Sequence, residues 1–251
     1  MKEIELQEVE HERKSNDVCP YIEANIIEDT IFLSKGIPIG FYIKDVNKYS
    51  ERLGKLLVVA NIEFRSDRVP KSSMRRASGV EQYSTILGGC APRYRRKVST
   101  TSSVHRCETA KTFVKAMLAS CIEGEQLIKQ ITPEIYLKQQ EIFKDVDDKN
   151  KLGTMFTSSI SNFNIPANFH RDTGNFKDTV NIIFTKRLNS TGGSLHVPDY
   201  NATIEQADNS MLVYPAWRNM HGVTPINQLA SNGYRNSLIF YPLKHFKNGQ
   251  K

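Results

Sequence analysis

Short β-prone runs recur through the second half of the chain, each closed by turn-forming residues. Val180–Phe184, Ser194–Val197, Thr203–Gln206, Met211–Tyr214 and Tyr234–Tyr241 are separated by clusters such as Asn189-Ser190-Thr191-Gly192-Gly193 and Ala207-Asp208-Asn209-Ser210. Gly, Asn, Asp and Ser end strands because they tolerate left-handed backbone or hydrogen-bond their own main chain. Short strands at regular spacing with such turns predict a double-sheet jelly roll. Ile26–Leu33, Pro38–Ile43 and Leu56–Phe64 are further β-prone runs that would extend its sheets.

Between these stretches the periodicity changes. In Glu108–Ile131, Phe113, Val114, Met117, Leu118, Cys121, Ile122, Leu127, Ile128 and Ile131 recur at helical spacing, which predicts a helix packed on one sheet from outside. Thr132-Pro133-Glu134 then reads as a cap, a first-turn proline and an acid favoured by the helix dipole, opening a second helix that runs to about Val146. The expected class is α+β: a double-stranded β-helix (jelly roll) core over residues 154–243, with supporting helices N-terminal to it. Residues 1–20 read as a charged tail and 21–251 as a single domain.

Charge is unevenly spread. From Arg65 to Lys111 there are eleven Lys/Arg against three acids, a net of +8, while the whole chain carries +7. This 65–111 stretch, rich in Ser, Gly and Thr, reads as basic loops around one short buried piece near Tyr83–Leu87. Basic loops interleaved with Tyr83 and Tyr94 suit a phosphate backbone, since each neutralised phosphate releases counterions; the plainer reading is a solvated basic surface. No apolar run approaches the roughly 18 residues of a membrane span. Met1–Asn16 is charged and lacks an apolar core, so it reads as a solvated tail or short helix and not as a secretory signal. Cys19, Cys90, Cys107 and Cys121 form no CxxC pair, which suits reduced thiols in an intracellular protein of the cytoplasm or nucleus.

The chemistry concentrates in His170-Arg171-Asp172, Asn219-Met220-His221 and Arg235-Asn236-Ser237. Two imidazoles and one carboxylate on one face of a metal, with the other positions open, form the ligand set of non-haem Fe(II) oxygenases. At the end of a strand, His170 and Asp172 would project to one side. His221 lies 49 positions beyond Asp172 and must come from another strand. In the alternating run Tyr234–Tyr241, Arg235, Ser237, Ile239 and Tyr241 share one face. An arginine and a serine placed so make a carboxylate clamp, the guanidinium fork pairing with both oxygens. A metal at one place and a clamp at another suit a dicarboxylic co-substrate such as 2-oxoglutarate. A His-x-Asp triplet alone is weak, and a single histidine in a strand is most often a core residue. Order, spacing and strand context together favour the metal. His196 has no carboxylate two residues on and reads as structural; Trp217 reads as packing or, second, as part of the lip of the site.

The segment from about Thr154 to Leu243 resembles the core of the 2-oxoglutarate/Fe(II) dioxygenase superfamily. In that resemblance His170, Asp172 and His221 are the catalytic metal ligands, Arg235 is the partner of the co-substrate's distal carboxylate, and Ser237 completes the Arg-x-Ser pair. The spacing and the Thr191-Gly192-Gly193-Ser194-Leu195 run resemble the ten-eleven-translocation and base-J-binding (TET/JBP) group, which hydroxylates the methyl of 5-methylpyrimidines in DNA. The resemblance implies Fe(II), 2-oxoglutarate and O2 as cofactors and DNA as partner, the target nucleotide flipped out of the duplex. Asn175 and Phe176 would then stand at the rim, stacking on the base or meeting its edge, the plainer reading being an ordinary turn. Arg75, Arg76, Arg95 and Arg96 would hold flanking phosphates. The alternatives are the same chemistry on a protein, peptide or small molecule and, more remotely, a non-catalytic jelly-roll binding module.

Overall fold

The computed structural model describes residues 1–73, 80–92, 94 and 97–247. Its strands, in chain order, begin with β1 Lys2–Glu5, β2 Thr30–Ser34, β3 Ile37–Ile43, β4 Ser72–Ser73, β5 Tyr83–Cys90 and β6 Thr100–Thr101. They continue with β7 Ser158–Phe163, β8 Ala167–His170, β9 Asn181–Leu188, β10 Ser190–Gly192 and β11 Leu195–Val197. The last are β12 Ala202–Ile204, β13 Ser210–Tyr214, β14 His221–Val223, β15 Ile226–Gln228 and β16 Tyr234–Tyr241. The α-helices are α1 Glu51–Arg65, α2 Lys111–Ile131 and α3 Pro133–Ile142.

Two sheets matter for the site. The larger has the order β1-β2-β3-β13-β9-β16-β7-β5-β4, with β6 paired to β5, and is antiparallel except where β1 joins β2. The smaller has the order β12-β11-β14-β8. Along the chain β7, β9, β13 and β16 enter the larger sheet, while β8, β11, β12 and β14 enter the smaller. The chain therefore crosses repeatedly between two facing layers.

Strand alternation sorts the side chains of the larger sheet. Phe41, Ile43, Ile182, Phe184, Met211, Val213, Leu238 and Phe240 join the helix-side core with Leu57, Phe64, Phe113 and Met117. Their neighbours Tyr42, Ile183, Leu212 and Tyr214 point the other way and pack on Leu195, Val197 and Ile204 of the smaller sheet. Helix α2 lies close on the larger sheet at Gly124, where a Cβ would stand 2.9 Å from Phe184 Cζ and 3.0 Å from Ile182 Cδ1. The sequence expectation of a helix covering one sheet from outside is thus met by α2.

Leu56–Phe64, expected as a strand, is part of α1. Ser50 caps that helix by accepting from the Leu53 amide at 3.1 Å. Leu53, Leu57, Ala60 and Phe64 are buried along one helical stripe, whereas Val58, Val59 and Ile62 face solvent. The β-branched residues that suggested a strand lie on the face where packing does not decide the conformation. The first residues are also corrected. They form an edge strand, β1, in place of a solvated tail or short helix, and Ile4 and Leu6 pack against the inter-sheet core. The chain then runs along the smaller sheet. Asn16 N donates to Phe169 O at 2.7 Å, and Ile26 pairs with Ile204 at the opposite edge. Both edges are thereby covered, which blunts them as sites of unwanted strand pairing. Among the described residues no helix is long and apolar enough to cross a membrane.

Candidate active site

His170 ends β8, His221 begins β14, and the two are register partners across an antiparallel pair. Their rings stand 4.4 Å apart, centroid to centroid. Asp172 follows two residues after His170, on the loop leaving β8, where its amide donates to Ala216 O at 3.0 Å. One ligand atom from each of His170, Asp172 and His221 lies within 4.8 Å of the others, and this is the one such cluster among the described residues.

The hydrogen bonds set the chemistry of each imidazole. His170 Nδ1 bonds Asn168 O at 2.7 Å and His221 Nδ1 bonds Asn219 O at 3.1 Å. A carbonyl only accepts, so Nδ1 carries the proton in both rings and a neutral ring presents the Nε2 lone pair. Burial pushes the His221 pKa down, against the pull of Asp172, which favours its neutral form. For Asp172, burial works upward, but the bond from His170, the two imidazoles and the Asn181 amide outweigh it and hold the carboxyl below its ordinary value. The bond to Asp172 is the main cause raising His170. His170 Nε2 lies 3.4 Å from Asp172 Oδ1. Two lone pairs and a carboxylate oxygen therefore converge, which fits a divalent cation of the Fe(II) type.

Arg235 and Ser237 sit on β16, each almost wholly buried. They line the same cavity as the three clustered residues, a space of about 360 Å³ between the two sheets. Ile239 and Tyr241 line it too, as the alternation predicted, while Leu238 and Phe240 face the helices. Among the described residues Arg235 Nε has no hydrogen-bond partner. Directly across the sheet stands Arg187, whose guanidinium is tied to the carbonyls of Ser190, Gly192 and Gln206. Burial, and then Arg187, push Arg235 well below its ordinary pKa. A buried cation beside another cation is costly until an anion pairs with it. The environment fits one carboxylate end of a dicarboxylic acid.

The Gly192-Gly193 turn makes room for this. Both residues have φ +69°, and a Cβ on Gly192 would meet Pro225 O at 2.0 Å. A Cβ on Gly193 would stand 3.2 Å from both Cδ and Nε of Arg235.

Other expected residues fall elsewhere. Asn175 is buried and lines the cavity. Phe176 is corrected: it belongs to the helix-side core, packed against Phe143 with centroids 5.6 Å apart, and has no part in the cavity wall. His196 is structural, bonded through Nδ1 to Thr203 Oγ1 at 2.8 Å. Trp217 lines a separate cavity with Ile37, Pro215 and Arg218. Tyr83, expected among the basic loops, is buried and stacked on Phe163 at 4.4 Å, whereas Tyr94 is exposed. Arg75, Arg76, Arg95 and Arg96 lie outside the described residues. Sequence reasoning missed Asn162 and Asn181 in the cavity wall. Asn162 belongs to β7, whose Ser-Ser-Ile-Ser-Asn-Phe run hides its alternation because polar residues occupy both faces.

A family model for the Tet/JBP oxygenase domain of the 2OGFeDO superfamily matches residues 83–244. The chain belongs to this family. It is accordingly an Fe(II)- and 2-oxoglutarate-dependent oxygenase that consumes O2. Among solved structures, NgTET1 in complex with 5mC DNA matches over 92% of this chain and 84% of that one, at 14% identity and a TM-score of 0.57. A 2OG-Fe(II) oxygenase family oxidoreductase from Burkholderia pseudomallei matches over 84% of this chain and 88% of that one, at 11% identity and a TM-score of 0.49. At 14% identity the likeness to NgTET1 is one of fold. No curated protein matches the Tet/JBP oxygenase chain by sequence.

Proposed function

We propose that the oxygenase hydroxylates the methyl group of a 5-methylpyrimidine, 5-methylcytosine or thymine, in DNA. Its core is read as a double-stranded β-helix, supported by the alternate entry of successive strands into facing sheets. His170 and His221 each give Nε2 to Fe(II) and Asp172 gives a carboxylate oxygen. Arg235, with Ser237, grips the distal carboxylate of 2-oxoglutarate. The observation that carries this reading is a single cavity holding both the three convergent ligands and a buried guanidinium whose Nε has no hydrogen-bond partner among the described residues.

Iron, 2-oxoglutarate and O2 together supply the oxidation, in which 2-oxoglutarate leaves as succinate and carbon dioxide and a substrate C–H becomes C–OH. The chain does the rest. Arg235 would hold and orient the distal carboxylate of the co-substrate by its planar fork. Apolar walls from Ile183, Leu195 and Val223 exclude water and shape the approach. On this reading Asn175, which lines the same cavity, meets the edge of a base turned out of the duplex.

DNA as the partner is supported by a second cavity of about 780 Å³ that shares Ile160 with the first. Ser72, Ser84, Ser102 and Thr101 line it together with Lys71 and Arg106, all from the basic segment. Hydroxyls and cations beside a buried oxidising centre suit a phosphodiester strand leading to it. The fold shared with a protein captured on 5mC DNA agrees with this.

The test is incubation with oligonucleotides carrying thymine or 5-methylcytosine, with Fe(II), 2-oxoglutarate and ascorbate, read by mass spectrometry. A gain of one oxygen on the base, absent with His170→Ala, is expected. Unmodified bases across the panel, with succinate released on a peptide or small molecule instead, would overturn the substrate assignment.

A further inference from the structure

Asp172 rides on a loop of the smaller sheet, yet one of its oxygens is held from the larger. Asn181 Nδ2 donates to Asp172 Oδ2 at 3.0 Å, and Asn175 Nδ2 donates to Asn181 Oδ1 at 2.9 Å. Asn181 and Asn175 are 3% and 5% exposed, so water does not compete for these bonds. Asn181 opens β9, which is paired on both sides by β13 and β16. Asn181 itself is the register partner of Tyr214 on β13, and Ile182 beside it is paired by β16 as well. Asn175 is tied in turn to the metal loop, its amide donating to Asp172 O at 3.0 Å.

The polarity of this chain is forced. An ionised carboxylate only accepts, so Asn181 must turn its NH2 to Asp172 and its oxygen to Asn175. Asn175 must then give its own NH2, which leaves its carbonyl oxygen as the remaining side-chain group. Without Asn181, Oδ2 loses its partner and the carboxylate is free to collapse further onto His170 Nε2, already 3.4 Å from Oδ1. That collapse would remove two metal ligands at once.

We propose that Asn181 is a positioning residue: it holds Oδ2 of Asp172 so that Oδ1 alone is presented to the metal, and Asn175 fixes the direction of the Asn181 amide. This rests on the iron-site reading above and extends it to two residues that do not bind the metal. Asn175 thereby joins the cavity wall to the metal ligand through one intervening amide. A partner that orients a metal-bound carboxylate is worth about 10–100-fold in metal affinity.

The test is Mn(II) titration of the full chain, followed by the electron paramagnetic resonance signal of the free ion, beside the thermal midpoint of each metal-free variant. Asn181→Ala is expected to weaken Mn(II) binding about 10–100-fold and Asn175→Ala by less. The double variant is expected to bind no more weakly than Asn181→Ala, because Asn175 reaches the Asp172 carboxylate through Asn181. A residue that merely supports the fold would lower the midpoint and leave the Mn(II) affinity alone. Mn(II) affinity of Asn181→Ala within about twofold of wild type, or effects of the two variants that multiply in full, would overturn the proposal. Failure of the wild-type chain to bind Mn(II), or binding undiminished by His170→Ala, would instead remove the iron site itself. The two failures are distinguishable because the second appears with Asn181 intact.

Discussion

On the cavity side of β16 stand Arg235, Ser237, Ile239 and Tyr241; on its helix side stand Asn236, Leu238 and Phe240. Neighbours in sequence thus occupy unlike surroundings. The helix side is a filled core, with Phe240 between Phe156 and Phe184 at centroid distances of 6.2 Å. The cavity side keeps an open space and a guanidinium whose Nε is unpaired. The strand is held the same way on both sides, by β7 and β9. The comparison teaches that this strand separates its two surroundings by parity: even positions fill the helix-side core and odd positions line the cavity.

That separation can be broken or sharpened by substitution. Phe240→Ala should cost about 3–5 kcal/mol of stability, read by denaturant unfolding, while Mn(II) affinity of the folded fraction is unchanged. Arg235→Met should do the reverse. It should weaken 2-oxoglutarate binding by about 2–5 kcal/mol, read by calorimetry, with the unfolding free energy unchanged or improved. If both variants moved both quantities equally, the two faces of β16 would not be separate in function. Lys71→Ala with Arg106→Ala should weaken binding to every DNA sequence alike and reduce the salt slope by about one for each phosphate no longer neutralised.

The smallest effect is one of pH. His170 must be neutral to bind a metal, and Asp172 raises its pKa above the ordinary 6.5. Mn(II) affinity should therefore fall as pH drops through that raised value, by about tenfold per unit once His170 is protonated. Asp172, held low, stays ionised over this range. In the metal-free protein the sign is opposite. The His170–Asp172 contact adds stability while His170 is protonated and loses it as pH rises past the raised value.

How much of this was legible in the chain depended on what constrains each part. His170, Asp172, His221 and Arg235 could be found because ligand chemistry admits few residue types and strand parity fixes their spacing. The helix α2 could be found because its apolar stripe is long. Leu56–Phe64 misled because intrinsic β preference was carried by Val58, Val59 and Ile62, which are exposed and do not set the conformation. Phe176 misled because proximity to Asp172 in sequence says nothing about which side of the loop it faces. Asn181 was invisible for a different reason: an asparagine at a strand start has many uses, and only the 3.0 Å bond to Asp172 gives it one. The basic segment resisted most. A positive charge restricts a loop's partner and not its path, and two of its exposed cations already have partners within the chain. Arg65 lies over the Tyr234 ring at 4.1 Å, and Arg68 is paired with Glu63.

The most direct measurement is an anaerobic titration of Fe(II) and 2-oxoglutarate, followed by the visible charge-transfer band that appears when an Fe(II) centre chelates a 2-keto acid. The wild-type chain should develop the band at one equivalent of each, Arg235→Met only at much higher 2-oxoglutarate, and His170→Ala not at all. A wild-type chain that stays colourless, or a His170→Ala chain that colours as readily, would contradict the assignment of the inter-sheet cavity as the oxidising centre.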